Sequence, residues 1–106
     1  MGSADAGGGL PFERLREVVA PIAAEHGITR VCLFGSRARG DYHEGSDYDF
    51  CIAVPDDYDL FDIGGFLYDL KEAVGGNVHI VCEDSALKRP SLMEEILRDG
   101  KIVFEA

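Results

Sequence analysis

The sequence predicts a single α/β domain (more strictly α+β) in which a small mixed sheet is flanked by helices. Apolar residues recur at helical spacing near both ends of the chain, and short apolar runs bounded by turn residues lie between them. These two kinds of segment alternate along the sequence, and a length of 106 residues suits one domain.

The first predicted element is a helix that begins at Pro11 and ends at Gly27. Pro21 lies inside this helix and is expected to kink or divide it, because proline removes one backbone hydrogen bond. The segment Ile102 to Phe104 is expected to pack the end of the chain against the core. The remaining predicted elements are a strand over 29–34, a helical turn over 36–39, a strand over 47–54, a helix over 60–74 interrupted by Gly64 and Gly65, a strand over 78–82, and a helix over 91–98 capped by Ser91 and Gly100.

Composition limits the classes of function. Residues 1–9 are small and glycine-rich, so we interpret them as a disordered leader or a cloning remnant, with the domain itself spanning 10–106. The sequence contains neither a secretory signal nor an apolar run long enough to cross a membrane, and its three cysteines sit in short apolar runs. These features predict a soluble, cytoplasmic protein with reduced, buried thiols. A formal net charge of −10 argues against long nucleic acids as partners, since their binding requires Lys and Arg.

A glycine-serine turn follows the first predicted strand. Gly35 allows the backbone to approach a ligand closely, and Ser36 supplies a hydroxyl group and can begin a helical turn. Amide groups at the start of a helix attract phosphate oxygens, and Arg37 adds positive charge to an otherwise acidic protein. This turn is therefore a candidate phosphate-binding site.

Two aspartates begin the second predicted strand. Because side chains alternate along a strand, Asp47 and Asp49 are expected to point to the same face. Paired carboxylates repel each other unless a cation lies beside them, and Mg²⁺ is commonly held by one or two carboxylates together with substrate phosphates. A glycine-serine turn or an Asp-x-Asp strand alone is usually ordinary surface, but the two together predict a site for phosphoryl or nucleotidyl transfer.

These residues resemble a known signature. Gly35-Ser36, ten intervening residues and Asp47-Tyr48-Asp49 are similar to the motif of the DNA polymerase β-like nucleotidyltransferase superfamily. The run Leu-Phe-Gly-Ser-Arg-Ala-Arg-Gly more narrowly resembles the minimal nucleotidyltransferases, the MNT family. The resemblance implies a polymerase β-like palm fold and an antitoxin that transfers AMP from ATP to a hydroxyl, such as a tyrosine hydroxyl, on a HEPN-domain toxin.

The resemblance also implies roles for individual residues. Asp47 and Asp49 would be catalytic and would hold Mg²⁺ or Mn²⁺. The nucleotide would be bound by the turn and the loop after it, through Gly35, Ser36, Arg37 and Ser46.

One position departs from the family pattern. A third acidic residue is expected on the last core strand, where this chain has His79. An imidazole there can ligate a metal, preferably Mn²⁺, Co²⁺ or Zn²⁺, or act as a general base, or be only a hydrogen-bonded surface histidine. Glu83 and Asp84 lie too far along the strand to replace the missing carboxylate.

Three functions remain open from the sequence. The first is an ATP-dependent nucleotidyltransferase with Asp47, Asp49 and His79 as its catalytic residues. The second is a catalytically impaired module of the same fold that neutralises a ribonuclease by contact, and the third is a nucleotide sensor. The exposed sheet face and the helix with Gly64 and Gly65 are candidate contacts for a homo-oligomer.

Overall fold

The computed structural model describes residues 10–43, 45–59 and 61–106. The leader predicted for residues 1–9 lies outside this range. No helix in the described part of the chain combines the length and apolar character needed to cross a bilayer. The elements are, in chain order, α1 (Phe12–Glu25), β1 (Arg30–Phe34), α2 (Ser36–Arg39), β2 (Tyr48–Ala53), α3 (Phe61–Val74), β3 (Val78–Cys82), α4 (Glu83–Ala86), α5 (Pro90–Asp99) and β4 (Lys101–Glu105).

The four strands form one mixed sheet in the order β3-β2-β1-β4. Strand β1 is antiparallel to both β2 and β4, whereas β2 and β3 are parallel. In this register Asp49 lies between Phe34 at the end of β1 and His79 near the start of β3. The predicted class, a small mixed sheet flanked by helices, is confirmed, and its register brings three separate parts of the sequence to one end of the sheet.

Helices cover both faces of the sheet. On one face α1 and α3 bury the larger core, and on the other α4 and α5 cover a smaller cluster. Burying a large apolar side chain contributes roughly 1.5–3 kcal/mol, so these clusters hold β1 and β2 rigidly beneath the site. The larger cluster includes Leu15, Val19, Phe50, Phe66 and Leu70, and the smaller one consists of Cys32, Phe34, Cys51, Ala86 and Ile96.

Of the two effects expected at Pro21, a kink or a division, the division does not occur, because α1 runs continuously from Phe12 to Glu25. Pro21 is exposed, while Val19 and Ala23 on either side of it are fully buried. Packing of these neighbours outweighs the single hydrogen bond that proline removes. The end of the helix is as predicted, since Gly27 takes a positive φ of 73° directly after the C-cap residue.

The interruption predicted at Gly64 and Gly65 is wrong, since both lie inside the continuous helix α3. Each glycine costs a helix about 1 kcal/mol, which the buried Phe66 and Leu70 offset. A Cβ atom at Gly65 would lie 3.3 Å from Cε1 of His26. The small residue at this position therefore allows α1 and α3 to approach closely.

The C-terminal part differs from the prediction in three details. Helix α5 begins at Pro90, and the predicted cap at Ser91 is wrong because Ser91 lies inside the first turn, where proline is well tolerated. Gly100 ends the helix as predicted. The segment after it forms the edge strand β4, and the short helix α4 was not predicted. Pairing of β4 with a strand about 70 residues earlier in the chain has no local sequence signal.

The predicted burial is confirmed for two of the three cysteines. Cys32 and Cys51 are buried, Cys82 is half-buried, and all three are free thiols. Burial raises the pKa of the Cys51 thiol to about 12, so its reactive thiolate form is rare at neutral pH. These residues serve as small core side chains.

Candidate active site

The bend after β1 lies directly against one of the predicted aspartates. Gly35 has φ 77° and ψ −159°, a backbone conformation that is essentially restricted to glycine. A Cβ atom built on Gly35 would collide with the carboxylate of Asp49. Glycine is therefore required here both by the backbone and by the closeness of the carboxylate.

The predicted helical turn over 36–39 is confirmed as α2. Its first backbone bonds run from the amides of Ala38 and Arg39 to the carbonyl of Gly35, at 3.1 and 3.0 Å. Gly40 closes the turn with φ 92°. The amino end of this turn, with the half-buried Ser36, thus opens at the bend beside Asp49.

Asp47 and Asp49 converge on one point, as their spacing predicts. Asp47 immediately precedes β2, and Asp49 is its second residue. Nδ1 of His79 lies 3.5 Å from Oδ2 of Asp47 and 3.4 Å from Oδ1 of Asp49. Two carboxylates and one imidazole are therefore gathered next to the glycine-serine bend.

Asp49 lies in an environment that disfavours its negative charge. Its side chain is 27% exposed, and burial raises the pKa of its carboxyl above the usual value. The carboxylates of Asp47 and Glu95 raise this pKa further, whereas His79 opposes the shift. A bound cation would remove the repulsion that these groups create.

The donor set suits a hard divalent cation that is shared with a substrate. Carboxylate oxygens are the ligands that Mg²⁺ and Mn²⁺ prefer. Among the residues that the structure describes, no group of three His, Cys, Asp or Glu side chains could hold a metal ion alone. A cation on Asp47 and Asp49 would thus need further oxygen ligands, which nucleotide phosphates can supply.

Arg37 points along the chain toward the segment that carries Asp47. Its Nε and Nη2 atoms donate to the carbonyl oxygen of Ser46 at 3.2 and 2.9 Å. Its guanidinium carbon also lies 4.5 Å from the ring centre of Tyr42 and 4.3 Å from that of Tyr48. The predicted contact of Arg37 with a triphosphate stays a prediction.

Ser46 closes a tight turn directly before Asp47. Its hydroxyl accepts a hydrogen bond from the His43 amide at 2.9 Å, and its own amide donates to the His43 carbonyl at 2.9 Å. These bonds shape the approach to the carboxylate pair. Binding of the nucleotide by Ser46 remains untested.

Other candidate side chains occupy structural positions. Glu83 forms an ion pair with Arg30, with Nη2 to Oε2 at 2.6 Å, which agrees with its exclusion as a third acid. His26 contacts Asp69 at 2.7 Å, between α1 and α3. Both pairs join elements of the fold and lie outside the carboxylate site.

Glu95 is a neighbour of the site that the sequence did not indicate. It lies on α5, and its carboxylate is 3.3 Å from Nη1 of Arg39. The charge of Glu95 contributes to the raised pKa of Asp49. The sequence gives no sign of this effect on the pKa of Asp49, because the effect depends on the packing of α5 against β1.

The comparison with protein families gives an extensive match. Residues 14–103 match the family described as the nucleotidyltransferase domain. The chain belongs to this family. It is therefore a nucleotidyltransferase-type enzyme. A Methanocaldococcus jannaschii protein named provisionally as a protein adenylyltransferase is 31% identical over 91 residues, covering 86% of this chain and 96% of that protein.

Solved nucleotidyltransferase structures share the fold. A solved structure named provisionally as a minimal nucleotidyltransferase has a TM-score of 0.72 and 36% identity, covering 87% of this chain and 95% of the other. A toxin-antitoxin structure with AMP-PNP has a TM-score of 0.71 and 22% identity, covering 86% and 73%. A structure of a tri-AMPylated Shewanella oneidensis HEPN toxin in complex with an MNT antitoxin has a TM-score of 0.67 and 17% identity, covering 91% of this chain and 74% of the other. The resemblance to minimal nucleotidyltransferases is thereby confirmed.

Proposed function

We propose that this enzyme transfers AMP from ATP to a hydroxyl group on a partner protein, with a divalent metal ion at Asp47 and Asp49. The observation that carries the proposal is the convergence of these two carboxylates on one point beside Gly35. The relative named as a protein adenylyltransferase and the solved structure with AMP-PNP support ATP as the substrate.

The chain supplies two groups that bind the nucleotide. Asp47 and Asp49 hold Mg²⁺ or Mn²⁺, which neutralises charge on the phosphates when it is bound. The bend at Gly35 and Ser36 presents backbone amides and a hydroxyl to the phosphate oxygens. Because the bend contacts Asp49, metal and phosphate sites are held in a fixed relation.

We propose that His79 receives the proton of the attacking hydroxyl. The oxygen of that hydroxyl forms a bond to the α-phosphorus, and the bond from this phosphorus to the pyrophosphate oxygen breaks. Pyrophosphate leaves with the electron pair, and the imidazole takes the proton. The side chain is 71% exposed, so an incoming substrate can reach it. The neighbouring carboxylates of Asp47 and Asp49 orient the ring.

We propose a HEPN-domain toxin as the acceptor and therefore an antitoxin role for this enzyme. One structural neighbour is an AMPylated HEPN toxin in complex with an MNT antitoxin, and a tyrosine hydroxyl is the acceptor that we propose here. The net charge of −10 favours a protein partner over long nucleic acid. Free, buried cysteines agree with action in the cytoplasm.

Incubation of the protein with a HEPN toxin and ATP labelled at the α-phosphate should label the toxin when Mg²⁺ or Mn²⁺ is present. Label on the γ-phosphate should instead appear in pyrophosphate, because the bond to the α-phosphorus is the one exchanged. Mass spectrometry should then locate AMP on a hydroxyl side chain. Labelling that persists in excess chelator, or none with either metal, would refute the proposal.

A second candidate function rests on His79. The resemblance places a carboxylate at this position, and an imidazole with two acidic neighbours could leave the enzyme impaired, so that it neutralises a ribonuclease by contact alone. In that case the toxin would form a tight complex and lose its ribonuclease activity without receiving AMP.

Replacement of His79 by Asp distinguishes these roles. If the missing carboxylate limits catalysis, His79→Asp should raise the Mg²⁺-supported transfer rate, because a third oxygen ligand favours Mg²⁺. If His79 is the general base, the same change should lower the rate, because an aspartate carboxylate is shorter and less basic than an imidazole. We expect the decrease, measured as kcat in Mg²⁺ and in Mn²⁺.

A further inference from the structure

The segment between α2 and β2 must place Asp47 correctly although Asp47 precedes the strand. Asp49 is held by strand pairing on both sides, to Phe34 and to His79. Asp47 lies one residue before β2 begins, so its position depends on the preceding turn. Strand pairing holds Tyr48 after Asp47, so the turn before Asp47 must fix the other side of this residue.

The Arg37 side chain spans this turn. Two of its nitrogens donate to the carbonyl oxygen of Ser46, the residue immediately before Asp47. A hydrogen bond from a charged donor is stronger than a neutral one, and two donors from one planar group also fix direction. The peptide that leads into Asp47 is thereby tied to α2.

Two tyrosine rings lie against the same guanidinium group. Tyr48 forms a rigid base: it is 2% exposed, stacks on Phe50 at 6.3 Å, and its hydroxyl accepts a hydrogen bond from the Leu10 amide. Tyr42, in the loop, provides the other ring. Arginine is favoured in such a position because its planar cation can stack and donate within its plane at once, unlike an ammonium group.

We infer that Arg37 is a positioning residue that sets the place of Asp47 by joining the Ser46 carbonyl to the Tyr42 and Tyr48 rings. Its effect on catalysis rests on the proposed function, whereas its effect on the loop does not. Arg37 directly follows Ser36 and acts one residue before Asp47. It therefore fixes the distance between the phosphate bend and the first metal ligand.

Amide hydrogen exchange in the metal-free protein tests this inference without any assay of activity. Arg37→Lys keeps the charge but loses the planar fork, so the amides of His43 and Ser46 should exchange about tenfold faster. Arg16→Lys, the same change on the exposed face of α1, should leave them unchanged. Unaltered exchange in Arg37→Lys would overturn the inference.

Tyr42 provides a second test if Arg37 variants fold poorly. Tyr42→Phe keeps the aromatic ring and should preserve the protection of the Ser46 amide. Tyr42→Leu removes the ring and should speed exchange of that amide. Equal exchange of the Ser46 amide in the two variants would contradict a role for the Tyr42 ring in holding Arg37.

Kinetics separate positioning from phosphate binding. A displaced Asp47 should lower kcat for Arg37→Lys by about 10–100-fold with little change in KM for ATP, as for other residues that orient metal ligands. A raised KM with unchanged kcat and normal exchange would instead make Arg37 a phosphate contact. If the wild-type protein transfers no AMP, the exchange result still decides the role of Arg37.

Discussion

Asp49→Asn should lower AMP transfer by at least about 10²–10³-fold while raising the melting temperature of the metal-free protein. The loss follows because an amide cannot neutralise a divalent cation as a carboxylate does. The higher melting temperature follows from the raised pKa of Asp49, because a raised pKa means that the folded state favours the neutral form of this side chain. The stability that Asp49 contributes is present below its unfolded pKa of about 3.9 and is lost as pH rises through the folded pKa.

An uncharged side chain avoids this loss at neutral pH. Thermal unfolding at pH 7 with excess chelator should therefore show Asp49→Asn melting above the wild type, and the difference should shrink toward pH 4. A gain of about 1 kcal/mol would shift the melting temperature by roughly 4–8 °C. Asp56→Asn, an exposed aspartate in the turn after β2, is the matched control. Full activity of Asp49→Asn would remove the metal assignment, and a lower melting temperature would contradict the electrostatic argument.

The sequence determines the centre of the site more fully than its surroundings. Strand parity and a glycine-serine bend are local signals, so the meeting of Asp47 and Asp49 beside Gly35 could be predicted. Contacts that depend on helix placement could not. Glu95 contributes to the raised pKa of Asp49 because α5 packs against β1 in the fold.

The same distinction explains the errors in the fold. A division at Pro21 and an interruption at Gly64-Gly65 were inferred from local propensity, but packing of α1 and α3 against the sheet outweighs that propensity. Strand β4 was missed because an edge strand depends on a distant partner, and here it pairs with β1. The phosphate contact that the resemblance implies for Arg37 stays a prediction, but the aromatic partners of Arg37 could not be predicted, because Tyr42 and Tyr48 become its neighbours only in the fold.

Gly35→Ala should reduce both stability and transfer, because it alters the contact on which the site is built. The backbone at Gly35 has a positive φ, and such strain costs a residue with a side chain about 1–3 kcal/mol. The new methyl group would also collide with the carboxylate of Asp49 and displace it. Displacement of about 1 Å can cost 10²-fold in rate, so we expect at least that loss in kcat.

Two comparisons separate the strain from the collision. Gly64→Ala, on an open face of α3, should stabilise the protein by up to about 1 kcal/mol and leave transfer unchanged. In an Asp49→Ala background the carboxylate is absent, so adding Gly35→Ala should cost only the backbone strain. The free energy of unfolding, measured with urea for all four members of this cycle, gives the coupling between Gly35 and Asp49. A coupling near zero would mean that the bend and the carboxylate are independent, and their fixed spacing could not then hold metal and phosphate in register.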